Sequence, residues 1–109
     1  MTVNDIFEMR ATVAKALAHP TRLRIIDLLV EQQEICVCHI VEHIGEGQST
    51  VSKHLAVLKE AGIVDARKEG LNVFYSLRTP CVHSFFSCLD KVILHDIRRK
   101  QTLMLAEHK

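Results

Sequence analysis

Two cysteines separated by one residue, Cys36 and Cys38, are the side chains of this sequence best suited to chemistry. Thiolates are soft ligands and nucleophiles, so the pair predicts either redox chemistry or binding of As(III), Cd(II), Pb(II), Zn(II) or Cu(I). Residues two apart in a regular helix point about 200° away from each other. The two sulfurs can therefore share an ion only where the backbone is distorted or not yet helical. The start of a helix meets this condition, and its dipole also favours the thiolate.

Two histidines close to the pair are candidate additional ligands. On an undistorted helix Cys36, His39 and His43 fall on one flank, which would make a Cys-His-His site of the kind that binds zinc. A surface histidine without a ligand role is the alternative for each ring. The sequence leaves both interpretations open.

Two further cysteines, Cys81 and Cys88, lie in the last third of the chain. They are two helical turns and about 10 Å apart, so they cannot share an ion within one helix. Either could join the first pair from another segment or subunit. Beside Phe85 and Phe86, they fit buried small residues better than ligands.

Length and composition exclude several classes of protein. A chain of 109 residues with 48% hydrophobic and 25% charged residues predicts one folded domain over residues 1–109. The longest apolar runs are four residues, far below the roughly 20 that a membrane span needs. The first residues lack the pattern of a secretion signal, which predicts a cytoplasmic protein with reduced thiols. The net charge of +1 means that any nucleic-acid binding must come from a local surface.

Hydrophobic periodicity predicts the order of the elements that position these residues. We expect helices over residues 4–18, 20–30, 34–44 and from 48 or 49 to 61, strands over 63–68 and 71–77, and a last helix over about 80–105. Ser49 and Thr79 are expected to cap their helices, and Gly45 and Gly62 to end theirs. The fold class is therefore mainly α with a small β-hairpin, in the order of a winged helix-turn-helix.

The fourth helix has an outer face suited to the major groove of double-stranded DNA. Its inner side carries Val51, Leu55 and Leu58 at helical spacing. The outer side carries amide, hydroxyl and basic groups that can read base edges, with a histidine on the flank: Gln48, Ser49, Thr50, Ser52, Lys53 and His54. In the hairpin, Arg67 and Lys68 are expected to reach phosphates or a minor groove.

Three segments in the same order resemble the ArsR/SmtB family of metal-sensing repressors. Residues 17–29 (LAHPTRLRIIDLL) are similar to its opening signature, residues 47–64 (GQSTVSKHLAVLKEAGIV) to its recognition helix, and residues 35–40 (ICVCHI) to its thiolate metal box. The resemblance implies a homodimeric winged-helix repressor without an organic cofactor. Such a repressor binds its operator when free of metal and leaves it when a metal or metalloid binds.

The metal box departs from the family pattern in its third ligand. Arsenic-responsive members of the family carry a third cysteine at the position where this chain has Val41. Cadmium and lead sensors of the family add cysteines from the amino-terminal arm, but residues 1–35 of this chain contain no cysteine. The third ligand is thus a histidine, Cys81, Cys88, or a solvent or small-thiol molecule. An ion held by the pair would bend the start of the third helix and, through residues 45–47, rotate the fourth.

Other functions remain as alternatives. The same fold could respond to oxidation or persulfide, by joining a cysteine of the first pair to Cys81 or Cys88. A thiol oxidoreductase would need a cleft for which a winged helix of this length leaves little room, so we expect no enzyme. A winged helix that binds only protein is a third alternative. The apolar stripe over residues 82–105 exceeds what one small domain can cover, which predicts a homodimer through the first and last helices.

Overall fold

The computed structural model describes residues 2–107 and shows a winged helix-turn-helix with a long last helix. The helices are α1 (Val3–Leu17), α2 (Pro20–Gln32), α3 (Val37–Ile44), α4 (Gln48–Glu60) and α5 (Ser84–Glu107), with a 3-10 helix (Pro80–His83) before α5. The strands are β1 (Glu34–Cys36), β2 (Val64–Glu69) and β3 (Asn72–Leu77). The mainly helical architecture with a β-hairpin is confirmed.

The first strand, β1, corrects the predicted helix over residues 34–44. It pairs antiparallel with β3, so the hairpin is part of a three-stranded sheet in the order β1-β3-β2. Cys36 lies opposite Phe74 in this pairing. Three residues are too few for an alternating pattern to show in the sequence. The free edge of β3 decides their conformation, because it offers hydrogen-bond partners from a distant part of the chain.

The two helix ends predicted at glycines, Gly45 and Gly62, are confirmed. Gly45 ends α3 with φ of +77° and Gly62 follows α4 with φ of +80°, the left-handed region that favours glycine. The side-chain capping bonds predicted for Ser49 and Thr79 are not formed. Gly47 takes the N-cap position of α4 in an extended conformation, and no side chain caps this helix. Thr79 precedes the 3-10 helix and makes no capping bond.

The core forms where α2, α3 and α4 meet the base of the sheet. The predicted inner residues of α4, Val51, Leu55 and Leu58, are all completely buried. Full burial of one such side chain contributes about 1.5–3 kcal/mol, so these residues hold the outer face of α4 in a defined orientation. The largest other buried side chains are Ile25, Ile26, Leu29, Ile40 and Val64.

The two outer helices, α1 and α5, leave apolar side chains uncovered in the single chain. Phe7 on α1 is 59% exposed, and Val92 and Ile93 on α5 are 67% and 54% exposed. Further exposed apolar residues follow along both helices: Val3, Ile6, Met9, Val13, Phe85, Leu94, Ile97, Leu103, Met104 and Leu105. Within residues 2–107, no helix has the length and apolar character to cross a membrane.

Candidate DNA-binding and metal-binding sites

The outer face of α4 presents five of its six predicted DNA-binding residues to solvent. Those five are Gln48, Ser49, Thr50, Ser52 and Lys53. They lie on the first two turns of the helix, away from its three buried apolar residues. The structure therefore brings hydroxyl, amide and ammonium groups together on one convex surface, as groove recognition requires.

The sixth residue, His54, is turned inward. Its Nδ1 accepts a hydrogen bond from Nε of Arg22 at 3.2 Å, and its ring centroid lies 4.3 Å from that of His19. The side chain is half-buried between α2 and α4. His54 therefore packs the recognition helix against α2, and the DNA contact predicted for it stays a prediction.

Arg22 is a structural residue that the sequence analysis did not identify. It donates hydrogen bonds to the carbonyl oxygens of Lys15 at 3.3 Å and Ala16 at 3.1 Å, at the end of α1. With its bond to His54, one guanidinium joins α1, α2 and α4. The only signal in the sequence was an arginine on a helix whose other side is apolar.

The turn between α3 and α4 is tied to α2 by two hydrogen bonds. The hydroxyl of Thr21, which is only 3% exposed, donates to Glu46 Oε1 at 2.6 Å. Arg24 donates to the carbonyl oxygen of Ile44 at 2.9 Å, at the end of α3. The angle between α3 and α4 is therefore held by α2 as well as by the short turn itself.

The environment of His54 makes stability depend on pH. Burial and, secondarily, the neighbouring His19 and Arg22 lower the pKa of His54 below its ordinary value of 6.5, against a smaller opposing effect of Glu46. The unfolded chain therefore binds this proton more readily than the folded chain. We expect the free energy of unfolding to be fully retained above about pH 6.5 and to fall as the pH is lowered below it.

Urea denaturation of the parent and of His54→Gln at about pH 7.5 and pH 5.5 measures this effect. Glutamine can still accept the hydrogen bond but does not titrate. The parent should lose more stability between the two pH values than the variant, because carboxylates and the other histidines affect both proteins equally. Equal losses would exclude His54 as the cause.

The wing is formed by β2, β3 and their turn. The two basic residues predicted to contact DNA from the wing have different surroundings. Lys68 is exposed. Arg67 pairs with Glu34 and Glu69, each at 2.6 Å, and lies 4.9 Å above the ring of Phe74. The hydrogen bonds that Arg67 donates to these carboxylates raise its pKa. Exposed ion pairs contribute about 0–1 kcal/mol, so a phosphate could compete for this guanidinium.

Cys36 and Cys38 bring their sulfurs to within 2.8 Å. Cys36 ends β1 in an extended conformation, with φ of −65° and ψ of 143°, and Cys38 lies in the first turn of α3. The sulfurs therefore converge because the backbone is not yet helical, as the spacing argument required. Cys36 is buried and Cys38 is exposed. A hydrogen bond between the two lowers the pKa of Cys36 and raises that of Cys38, which favours one thiolate on the buried sulfur.

The predicted set of Cys36, His39 and His43 is not formed. Cys36 precedes the helix, so the three residues do not share its flank, and Nδ1 of His43 lies 3.0 Å from the carbonyl oxygen of His39. Within the described part of the chain, no three His, Cys, Asp or Glu side chains stand close enough to hold one ion. The pair thus lacks a third ligand of these types from its own chain over residues 2–107.

Cys81 and Cys88 are exposed in the single chain, where we expected buried small residues. They line a groove between α1 and the start of α5, together with Val13, Leu17 and Phe85. The groove belongs to the same uncovered apolar surface as the rest of these two helices. A covering partner could still bury both cysteines.

Comparison with known proteins gives regulators of transcription. The family described as "Bacterial regulatory protein, arsR family" matches residues 19–66. The HTH-type transcriptional regulator MJ1325 of Methanocaldococcus jannaschii is 42% identical over 79% of this chain and 97% of that protein. The cadmium resistance transcriptional regulatory protein CadC homolog of Staphylococcus aureus is 40% identical over 78% of this chain and 68% of that protein.

Two further similarities concern arsenic resistance and assembly. The arsenical resistance operon repressor of Escherichia coli is 44% identical over 58% of this chain and 54% of that protein. The solution structure of the homodimeric winged helix-turn-helix DNA-binding domain Mb0332 from Mycobacterium bovis has a TM-score of 0.73 and 33% identity, covering 88% of each chain.

Proposed function

Because this chain belongs to the ArsR family of winged helix-turn-helix transcriptional regulators, we propose that it is a repressor whose DNA binding is relieved when a thiophilic ion binds Cys36 and Cys38. Family and fold are those of DNA-binding regulators and not of enzymes. The observation that carries the proposal is the convergence of two sulfurs at 2.8 Å in a chain with a polar, exposed α4 face. Relatives named for cadmium and arsenical resistance support Cd(II) or As(III) as the inducer, and the softness of thiolate ligands adds Pb(II) and Zn(II) as candidates.

The outer face of α4 would enter the major groove. Its hydroxyl and amide groups suit base edges, and Lys53 suits a phosphate or the O6 and N7 atoms of guanine. Lys68 on the wing would contact the phosphate backbone beside it. Arg67 could add a second contact by exchanging Glu34 or Glu69 for a phosphate oxygen.

Two copies of the chain would act together. The exposed apolar faces of α1 and α5 need a cover, and the similar Mb0332 domain is homodimeric. A second copy supplies that cover and a second α4. The operator would then be an imperfect inverted repeat, with half-sites about one helical turn apart.

The cysteine pair lies at the start of α3, so a small movement of Cys38 can be transmitted through α3 to α4. An ion shared by the two sulfurs with bonds of about 2.3 Å holds them about 3.7 Å apart in tetrahedral geometry, so its binding adjusts and then fixes the position of Cys38 relative to Cys36. Cys38 would carry this displacement into the first turn of α3, which packs against both α2 and α4. A coupling of about 1–3 kcal/mol, enough for a 5–150-fold change in DNA affinity, is typical of such regulation.

Fluorescence anisotropy of the reduced protein on the DNA upstream of its own gene tests the proposal. Binding should weaken steeply with salt, because phosphate contacts release counterions. Addition of As(III), Cd(II), Pb(II) or Zn(II) should release the DNA. Release by peroxide or persulfide but by none of the ions would replace the proposal with a redox switch. DNA binding that none of these agents changes would overturn both.

Substitution of Lys53 measures the contribution of the α4 face. Lys53→Ala is expected to weaken operator binding by about 1–3 kcal/mol, or 5–150-fold, if the ammonium contacts guanine. Lys59→Ala is the matched control, because Lys59 is an exposed lysine in the last turn of the same helix. The same anisotropy titration measures both variants. Equal losses for the two would show that only the overall charge of the helix matters.

A further inference from the structure

The amide side chain of Asn72 lies beside the cysteine pair. Its Oδ1 is 3.9 Å from Sγ of Cys36. Asn72 is the first residue of β3, and Cys36 ends β1, paired with Phe74 two residues further along β3. The strand pairing therefore determines the position of this oxygen relative to the sulfurs.

We infer that Asn72 is the third side chain of the ion site of Cys36 and Cys38, and that it selects divalent ions that accept an oxygen ligand. The inference rests on the proposed function and deepens it. In a tetrahedral site, bonds of about 2.3 Å to sulfur and 2.1 Å to oxygen place these two ligand atoms about 3.6 Å apart. The observed separation of Cys36 Sγ and Asn72 Oδ1, 3.9 Å, differs from this value by only about 0.3 Å.

The donor set gives the chemical class of the ion. Over the described residues, no histidine, carboxylate or further cysteine stands close enough to complete a site with the pair. The amide oxygen of Asn72 therefore takes the place of a third ligand of these types. Two thiolates, one carbonyl oxygen and a solvent molecule suit a four-coordinate, borderline-soft ion such as Zn(II) or Cd(II). As(III), which here bonds through the two sulfurs, gains nothing from the amide.

The same arrangement couples the ion site to the wing. Asn72 is separated from the end of β2 by a two-residue turn, and Lys68 lies on the facing strand close to that turn. Glu34 of β1 already pairs with Arg67 at 2.6 Å across the sheet. An ion held in part by Asn72 would thus link the wing to β1 and to the start of α3.

Ion binding to the reduced full-length protein tests this inference directly. Cd(II) affinity is measured by competition with a chelator, following thiolate-to-cadmium charge-transfer absorption, and As(III) affinity by the loss of titratable thiols. Asn72→Ala should bind Cd(II) at least about 10-fold more weakly, the effect expected for a residue that positions or completes a site, with As(III) affinity unchanged. Asn72→Asp should bind Cd(II) more tightly than Asn72→Ala. Ser76→Ala, further along β3, should match the parent for both ions.

The outcomes separate this inference from the proposed function. Unchanged Cd(II) affinity in Asn72→Ala would overturn the inference, and so would an equal loss of Cd(II) and As(III) affinity, because that result indicates a disturbed wing. Cys36→Ser must lose both ions if the proposed function holds. Retention of both ions by Cys36→Ser would overturn the proposed function itself.

Discussion

Replacement of Cys36 by serine is expected to leave operator affinity unchanged while abolishing release by thiophilic ions. A hydroxyl has nearly the shape of a thiol but does not ionise or bind soft ions at neutral pH. Cys36 ends β1 and does not belong to the outer face of α4, so the DNA contacts remain. The whole 5–150-fold response to the inducer should be lost. Anisotropy titrations with and without Cd(II) and As(III) measure both quantities on one sample.

Cys88→Ser is the matched control, because it makes the same chemical change in the groove between α1 and α5, away from the pair. It should release DNA as the parent does. Continued release by Cys36→Ser would exclude the proposed site. If Cys36→Ser failed to fold, Cys38→Ser would provide the same test, since Cys38 is exposed and serine there costs less stability than serine at the buried Cys36.

Replacement of Ile93 by lysine is expected to yield a monomer that binds the operator at least about 100-fold more weakly. Ile93 lies on the apolar face of α5 and is 54% exposed in the single chain. An ammonium group placed there would have to lose its hydration in a covered interface. A monomer contacts one half-site and loses the gain that comes from binding two sites at once. The added positive charge cannot itself weaken attraction to DNA.

Light scattering during size-exclusion chromatography gives the mass, and anisotropy gives the affinity. Thr102→Lys is the control, because nine residues along a helix place Thr102 about 180° from Ile93. It should remain dimeric and bind DNA as the parent does. An Ile93→Lys protein that stays dimeric would show that this part of α5 is not the interface.

Local patterns in the sequence were enough to predict the recognition helix and its two faces. Val51, Leu55 and Leu58 recur at helical spacing, and all three are completely buried. The positive φ at Gly45 and Gly62 follows from the absence of a Cβ atom, which makes the left-handed conformation inexpensive. These features depend on residues within one or two helical turns of each other, so a single sequence contains them.

Other features depend on partners that are distant along the chain. His54 packs against Arg22 on α2, and Arg67 pairs with Glu34 on β1. In both cases the partner lies more than 30 residues away. No helical or strand periodicity records such a contact, because it exists only once the elements have packed.

The cysteine pair shows most clearly which features follow from the sequence and which require the tertiary structure. The sequence by itself determined that Cys36 and Cys38 could share an ion only outside a regular helix. The tertiary structure decided that they do converge, because pairing with β3 keeps Cys36 in an extended conformation and delays the start of α3 to Val37. The same pairing places Asn72, 36 residues further along the chain, beside the buried sulfur. Residue type set the available chemistry, and hydrogen bonding between distant strands set the geometry in which that chemistry can occur.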